Sequence, residues 1–340
     1  ILGLSISLFA FIVYLFTLAP TVSFIDSGEL ATVTATLGIA HPTGYPLFTI
    51  VGFIFSKLPI ASTVIYRLNI MAALFCATSV FFFFKLNLFI LKNFISKKTN
   101  EPKKSNPFKK YYLYVPAIAG SWTLAFSRTF WSQATSIEVY SLHVLFLSIV
   151  LLSFLNAISQ TQMMERTNKN EIGKAWLVFA FLLGLSFTNH MTTILLAPAL
   201  VYFYFAVCGF SKSSWRIAFT LLVPFILGLS VYLFLPVRSA GFPYMNWGNP
   251  IDLEKIFWHI SGKQYRVWIF SSTESAVKQF SYFINELPNE FNYVFLIVAL
   301  LGLWNILTKN RRLFIFSLLL FVGCISYSIN YDIHDIDSYF

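Results

Sequence analysis

Charged residues are scarce in this 340-residue chain, making up 11% of the sequence, whereas globular domains contain about 25%. Hydrophobic residues make up 57%, and the chain contains 39 Phe and 17 Tyr. This composition is unlike that of a globular domain and is typical of polytopic membrane proteins, whose aromatic side chains concentrate near the membrane surfaces. We therefore predict an all-α fold of membrane-spanning helices.

Only three cysteines occur, Cys76, Cys208 and Cys324, and each lies within a hydrophobic run without C-x-x-C spacing. We interpret them as packing residues that carry no information on redox compartment. The Walker, Rossmann, nucleophile-elbow and zinc-protease signatures are absent from the sequence. No signal-peptide cleavage pattern follows the first hydrophobic run, so we expect that run to be an anchor.

The apolar runs predict about nine spans, since about 20 apolar residues cross a bilayer. A tenth run, 47–58, is too short to cross and is interpreted as an interfacial or re-entrant helix. The turn at 188–190 is the least distinct boundary between two spans. The predicted spans are 1–19, 64–91, 111–127, 139–158, 175–190, 191–209, 216–236, 291–308 and 313–330.

Basic residues predict the orientation, because short loops rich in Lys and Arg stay in the cytoplasm. Four loops, at 92–110, 166–174, 212–216 and 309–312, hold 15 of the 24 basic residues, whereas 11 of the 14 acidic residues fall on the other side. The net charge of +10 is thus explained by topology, and a nucleic-acid partner is not required.

We predict one domain, 1–340, with outer loops at about 20–63 and 237–290 and a basic cytoplasmic loop at about 92–110. Because the chain begins at Ile1 and ends at Phe340 within a polar cluster, we expect it to be part of a longer protein, with the C-terminal remainder missing. The unusual polar clusters all fall in outer segments, so we expect the protein to act at the extracytoplasmic surface.

Asp26-Ser-Gly-Glu29 follows the first span and supplies the candidate catalytic residues, Asp26 and Glu29. Carboxylates near hydrocarbon are costly and usually functional. Asp26 is a candidate general base toward an acceptor hydroxyl. The alternative is a capping box, in which Asp26 caps a helix and Glu29 reaches back from its first turn.

His41-Pro-Thr-Gly-Tyr-Pro46 is expected to be a rigid irregular segment, since its prolines lack N–H donors and its glycine permits positive φ. His41 and Tyr45 would be presented near the acids as substrate-binding or proton-transferring groups. A turn without function explains the segment equally well.

The segment 128–140 joins the third and fourth spans, with Arg128 and Glu138 near its ends. An ion pair within an aromatic belt is one interpretation. The other is that Glu138 orients a sugar or a catalytic group on which Trp131 stacks. His143, within the next span, is interpreted as a core histidine.

Further candidate substrate-binding residues lie in the later outer segments. Asn189 and His190 form a predicted turn, and Arg238 follows a span, where it would bind an anionic lipid head group or merely extend toward the interface. The aromatic loop that follows adds Trp247 and then His259, in an amphipathic stretch suited to docking on the bilayer.

Asp332-Ile-His334-Asp335-Ile-Asp337 offers several potential metal ligands, but no second ligand cluster of defined spacing accompanies it. A divalent metal is therefore weakly supported, and no cofactor is predicted with certainty. A substrate-facing polar edge and plain surface are the alternatives.

The order of these motifs resembles a family of bacterial polytopic proteins that also includes the eukaryotic transmembrane O-mannosyltransferase acting on IPT domains. The resemblance extends over nearly the whole chain. It is carried by Leu18-Ala-Pro-Thr with Asp26-Ser-Gly-Glu29, His41-Pro-Thr-Gly-Tyr-Pro46, Phe130-Trp-Ser-Gln-Ala134, Glu138-Val-Tyr140, Asn189-His190, Leu235-Pro-Val-Arg238 and Asn246-Trp-Gly248.

The resemblance implies a GT-C glycosyltransferase of the bacterial inner membrane, with its active site facing the periplasm. The donor would be mannose or a similar hexose on a polyprenyl phosphate, and the acceptor a hydroxyl of a protein or glycan. Transfer would proceed with inversion, Asp26 acting as base and Arg238, helped by Arg128 or His190, stabilising the phosphate. A transporter or flippase of lipid-linked sugar, or a non-catalytic scaffold, is the alternative.

Overall fold

The structure is a computed structural model that describes residues 1–23, 25–95, 108–165, 173–333 and 335–339. Most of the two basic loops predicted at 92–110 and 166–174, and also His334, lie outside the described residues.

The described part of the chain is helical and contains no β-strand, apart from two isolated bridges. Short 3₁₀ segments occur at Met191–Leu196, Ser230–Leu233, Lys263–Trp268 and Ile336–Tyr339, and a π segment at Leu91–Ile95. The α-helices are α1 (Leu2–Phe16), α2 (Ser27–Thr36), α3 (Pro46–Lys57), α4 (Val64–Ile90), α5 (Phe108–Ala125), α6 (Arg128–Thr135), α7 (Val139–Glu165), α8 (Lys174–Phe187), α9 (Ala197–Cys208), α10 (Lys212–Thr220), α11 (Leu222–Leu229), α12 (Phe234–Ala240), α13 (Leu253–Ile260), α14 (Thr273–Lys309) and α15 (Arg311–Ser328).

Among the described residues, six helical segments are long and apolar enough to cross a membrane, which confirms the all-α polytopic fold. Each overlaps a predicted span, although Thr273–Lys309 begins well before the predicted span 291–308, within the predicted outer loop 237–290. The other three predicted spans correspond to the shorter helices α1 and α8 and to α5, so the count of nine stays a prediction. The six segments are Val64–Ile95, Val139–Gln162, Met191–Cys208, Lys212–Ala240, Thr273–Lys309 and Arg311–Ser328.

Helix α4 is central to the fold and contacts α1, α5, α6 and α7. Its fully buried Asn69 donates from Nδ2 to the Ala19 carbonyl at 2.8 Å and accepts the Ile137 N–H at 2.9 Å. A buried amide must find hydrogen-bond partners. Asn69 therefore fixes the segment that precedes α2 and the segment that precedes α7, the two segments that carry the candidate acids.

Two glycines allow α8 and α11 to pack in close contact. A Cβ on Gly184 would lie 2.1 Å from the Phe225 carbonyl oxygen, and one on Gly228 would lie 2.4 Å from the Phe181 carbonyl oxygen. Helix α8 ends at Phe187, and the chain turns before the 3₁₀ segment that starts at Met191. This turn is the predicted boundary at 188–190, and it presents His190 to the site.

Candidate active site

Glu29 connects the first turn of α2 to the irregular segment that follows this helix. Its carboxylate accepts the His41 backbone N–H at 2.8 Å, and both its oxygens lie 3.1 Å from His41 Nδ1. Asp26 is the residue before α2 and makes no side-chain capping bond. The hydrogen bonds of a capping box are therefore not formed, and Glu29 instead holds the segment that carries His41.

The other ring nitrogen of His41 meets two further polar groups. Nε2 lies 3.0 Å from the Tyr45 hydroxyl and 3.7 Å from Asp26 Oδ2. The Asp26 side chain is 41% exposed, whereas that of His41 is 10% exposed. The structure thus brings together four of the predicted residues, Asp26, Glu29, His41 and Tyr45, with Asp26 facing the open side.

Burial and His41 give the two acids opposite pKa shifts. Burial raises the pKa of Asp26, and the repulsion by Glu29 and Asp335 adds to it, although His41 lowers it in part. Burial alone would raise the pKa of Glu29 too, but the hydrogen bonds and charge of His41 outweigh it and lower that pKa. Asp26 is therefore the more basic carboxylate and the better proton acceptor.

His41 itself is stabilised in its charged form. Burial by itself would lower its pKa, but the hydrogen bond and charge of Glu29, followed by the charges of Asp26 and Asp335, raise the pKa above its ordinary value. These contacts explain how a buried histidine can lie between two carboxylates.

Asp26, Glu29 and His41 also form the kind of group that could hold a metal ion. One ligand atom from each lies within 4.8 Å of the others, and carboxylate oxygens and imidazole nitrogens are ordinary ligands of divalent metals. Since both Glu29 oxygens already contact His41, an ion would be held mainly by Asp26 and by His41 Nε2, which would have to lose its proton first, with Glu29 orienting the ring.

A cavity of about 350 Å³ adjoins this cluster, and we call it the polar cavity because its lining, although mostly apolar, is more polar than that of the second cavity beside it. Asp26, His41, Tyr45 and His190 line it together with residues from the second half of the chain. The Tyr45 and His190 rings stack with centroids 5.8 Å apart. The later residues that complete the lining include Ser261, Tyr265, Trp268, Tyr327, Tyr331, Asp335 and Tyr339.

A second, mainly apolar cavity of about 490 Å³ lies between the ends of α5 to α7, the segment after His190, α14 and α15. Tyr140, Thr192, Leu195 and Tyr339 line both cavities and form their shared wall. Apolar residues that line the second cavity include Leu124, Phe130, Val144, Leu147, Leu196, Phe283, Leu287, Phe291 and Phe321.

A histidine from each cavity contacts Thr192 in the shared wall. Thr192 Oγ1 lies 2.6 Å from His190 Nδ1 and 3.1 Å from His143 Nε2, and the two imidazole centroids are 4.8 Å apart. His143, interpreted from the sequence as a core histidine, is buried as expected, but its Nδ1 has no hydrogen-bond partner among the described residues.

Glu138 is buried immediately before α7 and lines neither cavity. Burial, reinforced by the negative charges of Asp26, Asp335 and Glu29, raises its pKa to about 9. Glu138 is therefore protonated at neutral pH. Asn189 is also fully buried, and its Nδ2 donates to the Val139 carbonyl at 3.3 Å.

The structure does not bring the predicted arginines to either cavity. Arg128, whose side chain is 74% exposed, lies 3.4 Å from Glu286. Arg238 donates from Nε to the Leu37 carbonyl at 2.5 Å and from Nη2 to the Thr36 carbonyl at 3.3 Å, at the end of α2.

The predicted aromatic and histidine residues of the loops are divided between site and scaffold. Trp131 donates to Thr17 Oγ1 at 2.9 Å and lines neither cavity. The Trp247 ring lies 6.1 Å from that of His41. His259 is buried, and its Nε2 lies against Gly44, where an added Cβ would be 2.8 Å away; burial lowers its pKa to about 4.

The polar cluster near the end of the chain is divided between the two cavities. Asp335 lines the polar cavity and Asp337 the apolar one, where Asp337 accepts a hydrogen bond from Tyr282. Asp332 lies 3.4 Å from Ser271 Oγ, and His334 lies outside the described residues. Among the described members of this cluster, Asp335 is the one whose negative charge contributes to raising the pKa of both Asp26 and His41.

Comparison with known proteins identifies the family. Residues 26–214, more than half of the chain, match the model of the N-terminal domain of the protein O-mannosyl-transferase TMEM260. The chain belongs to this family. The family resemblance predicted from the motifs is thereby confirmed.

Two relatives of this TMEM260 family are similar over most of the chain. The mouse protein O-mannosyl-transferase TMEM260 is 25% identical over 315 residues, which cover 91% of this chain and 41% of the mouse protein. The Dictyostelium discoideum protein O-mannosyl-transferase tmem260 is 25% identical over 315 residues, covering 87% and 35%. The chain thus spans well under half the length of either relative. No solved structure matches it significantly.

Several cavity residues were not among the candidates predicted from the sequence. Tyr140 and Thr192 adjoin predicted residues and could have been found by extending those motifs. Tyr265, Tyr331 and Tyr339 come from distant segments. The abundance of aromatic residues in the predicted outer loops was the only signal for them, and it does not distinguish a cavity wall from a membrane interface.

Proposed function

We propose that this chain forms the donor-binding and catalytic part of a membrane glycosyltransferase that moves mannose or a similar hexose from a polyprenyl-phosphate carrier to a protein. The acceptor would be a Ser or Thr hydroxyl on the extracytoplasmic side, which is the periplasm if the protein resides in a bacterial inner membrane. Family membership and the names of the relatives support transfer to protein.

The observation that carries this proposal is the junction of the two cavities. The polar cavity has Asp26 in its wall, and the apolar cavity continues beyond Tyr140, Thr192 and Tyr339. A sugar is polar, whereas a polyprenyl chain is apolar, so a molecule that joins the two matches this division. A donor of that kind would place its sugar beside Asp26.

Asp26 would act as the general base. Its carboxylate takes the proton of the acceptor hydroxyl as the hydroxyl oxygen bonds to the anomeric carbon from the face opposite the phosphate. The bond between that carbon and the phosphate oxygen breaks, and the lipid phosphate leaves with the electron pair, so the sugar configuration inverts. Partial burial of Asp26, together with repulsion by Glu29 and Asp335, gives it the raised pKa that suits this role.

Glu29 would serve as a positioning residue in this mechanism. It fixes both the backbone and the ring of His41, and His41 Nε2 in turn lies between Tyr45 and Asp26. The positive charge of His41 favours the ionised form of Asp26, because an opposite charge nearby stabilises a carboxylate.

The test is sugar transfer by the purified full-length protein and its Asp26→Asn variant, with a polyprenyl-phosphate hexose donor and a Ser/Thr peptide acceptor. Loss of a general base should lower the rate about a hundred- to ten-thousandfold. Glu254→Gln, an exposed acid in the first turn of α13, is the control and should keep full activity.

Equal rates for the wild type and Asp26→Asn would remove Asp26 as the base. If the full-length wild type transfers no sugar but moves lipid-linked sugar across liposome membranes, the protein is a flippase or transporter instead.

A further inference from the structure

The contacts of Thr192 join the two cavities through two histidines. His190 lines the polar cavity only, His143 lines the apolar cavity only, and Thr192 lines both. The hydroxyl of Thr192 is within hydrogen-bond distance of both rings. This arrangement lies where a ligand that occupies both cavities must pass from one to the other.

One ring nitrogen of this cluster has no hydrogen-bond partner among the described residues. His143 is 8% exposed, and its Nδ1 is buried without a partner among the described residues. A buried polar atom without a hydrogen bond costs about 1–3 kcal/mol, so native structures rarely retain one without a reason. The Thr192 backbone N–H donates to His190 Nδ1 at 3.4 Å, so this nitrogen is an acceptor and also accepts the Thr192 hydroxyl, while the Thr192 oxygen accepts from His143 Nε2–H. His143 Nδ1 donates to a ligand oxygen when the ring takes up a second proton, which an anionic ligand favours.

The residues that line the two cavities offer hydroxyl and imidazole groups, rather than cations, as donors to an anionic ligand. No Lys or Arg from the described residues lines either cavity. Glu290, which lines the apolar cavity, accepts hydrogen bonds from the backbone N–H and the hydroxyl of Thr129. Arg128 forms an ion pair with Glu286. An anion that enters this wall is therefore held by the hydroxyl and imidazole groups, and because an unpaired buried anion is very costly, the proton that His143 takes up with the ligand supplies the opposite charge.

We propose that Thr192, together with His143 and His190, binds the phosphate of a lipid-linked ligand at the boundary between the two cavities. This inference rests on the proposed function, because that function supplies a ligand with a polar head and an apolar tail. The phosphate joins these two parts, and Thr192 is the polar residue of the shared wall that contacts both histidines. The Tyr140 and Tyr339 side chains of the same wall enclose the site.

The test measures binding rather than transfer. Full-length protein in detergent is titrated with a short-chain polyprenyl monophosphate that carries no sugar, with the corresponding polyprenol, and with inorganic phosphate. Thr192→Val keeps the side-chain shape and removes the hydroxyl. Because hydrogen bonds to charged groups are the stronger ones, we expect about ten- to a hundredfold weaker binding of the monophosphate and unchanged binding of the polyprenol.

Two further variants complete the design. His143→Gln removes the imidazole and should weaken monophosphate binding in the same selective way. Thr78→Val is the matched control, because Thr78 bonds only the Leu74 carbonyl of its own helix and lines neither cavity. This variant should bind the monophosphate like the wild type.

Unchanged monophosphate binding in Thr192→Val, or an equal loss of monophosphate and polyprenol binding, would overturn the proposal. So would wild-type protein that binds the monophosphate no better than the polyprenol, or inorganic phosphate as tightly as the lipid phosphate. Because no sugar is transferred, a selective loss in Thr192→Val supports the phosphate site even if the Asp26→Asn experiment refutes the proposed transferase mechanism.

Discussion

Replacing Glu138 by Gln is expected to stabilise the protein at neutral pH. Glu138 is buried before α7, where Asp26, Asp335 and Glu29 add negative potential, and its pKa is raised to about 9. In the unfolded chain the same carboxyl ionises at its ordinary pKa of 4.5. Folding at pH 7 therefore requires a proton that the unfolded chain has already lost. Glutamine has a similar shape and cannot ionise, so it removes this requirement.

The size of the effect follows from the two pKa values. A pKa raised on folding leaves stability undiminished below about pH 4.5, and stability is then lost as the pH rises toward about 9. Each pH unit in this window is worth about 1.4 kcal/mol. The free-energy cost that Gln removes is therefore about 0.7 kcal/mol at pH 5 and about 3 kcal/mol at pH 7.

The assay is unfolding of the wild type and Glu138→Gln by denaturant titration in detergent micelles, repeated from pH 5 to pH 8. The difference in free energy of unfolding should grow with pH in favour of the variant. Glu274→Gln, which alters an exposed acid in the first turn of α14, should show no such growth. A difference between wild type and Glu138→Gln that stays constant over this range would refute the raised pKa of Glu138.

Two further substitutions test the scaffold. Gly184→Ala should disrupt the packing of α8 on α11 and lower the thermal midpoint of unfolding, because its Cβ would lie 2.1 Å from the Phe225 carbonyl oxygen. Gly302→Ala is the control and should leave the midpoint unchanged, because its Cβ would meet no atom within 4 Å. Equal midpoints for the two variants would contradict the close approach of α8 and α11. Arg238→Ala should cost about 1–3 kcal/mol of stability through loss of its bonds to the carbonyls at the end of α2, yet leave the Kd for polyprenyl monophosphate unchanged. A weaker Kd in Arg238→Ala at unchanged stability would instead support the phosphate-binding role expected from the sequence.

The sequence predicted the helical architecture well because hydropathy acts locally. Each of the six long apolar segments overlaps a span predicted from its run of apolar residues, although Thr273–Lys309 begins well before the predicted span. The chain also turns at 188–190, the least distinct of the predicted boundaries. The short helix α3 was also expected from its length. These features depend on neighbouring residues alone.

The contacts within the site could be predicted only in part. Proximity of Asp26 and His41 followed from their places in one loop, but the bond from Glu29 to His41 depends on the chain reversing at Leu37, which has φ 53°. A capping box and this bridge use the same Asp-x-x-Glu spacing, so the spacing could not distinguish them. Arg238 was likewise assigned to an anion, although its partners are backbone carbonyls about 200 residues away.

The residues of the site differ in where they lie relative to the family match. Asp26, His41, His143, His190 and Thr192 all fall within residues 26–214, the part of the chain that matches the family model. The residues that close the polar cavity from the other side, such as Tyr265, Tyr331, Asp335 and Tyr339, follow that region. Burial is the largest cause of the raised pKa of Asp26, and the negative charge of Asp335, which lines the same cavity, adds to it. The basicity proposed for Asp26 therefore depends in part on a residue that lies beyond the family match.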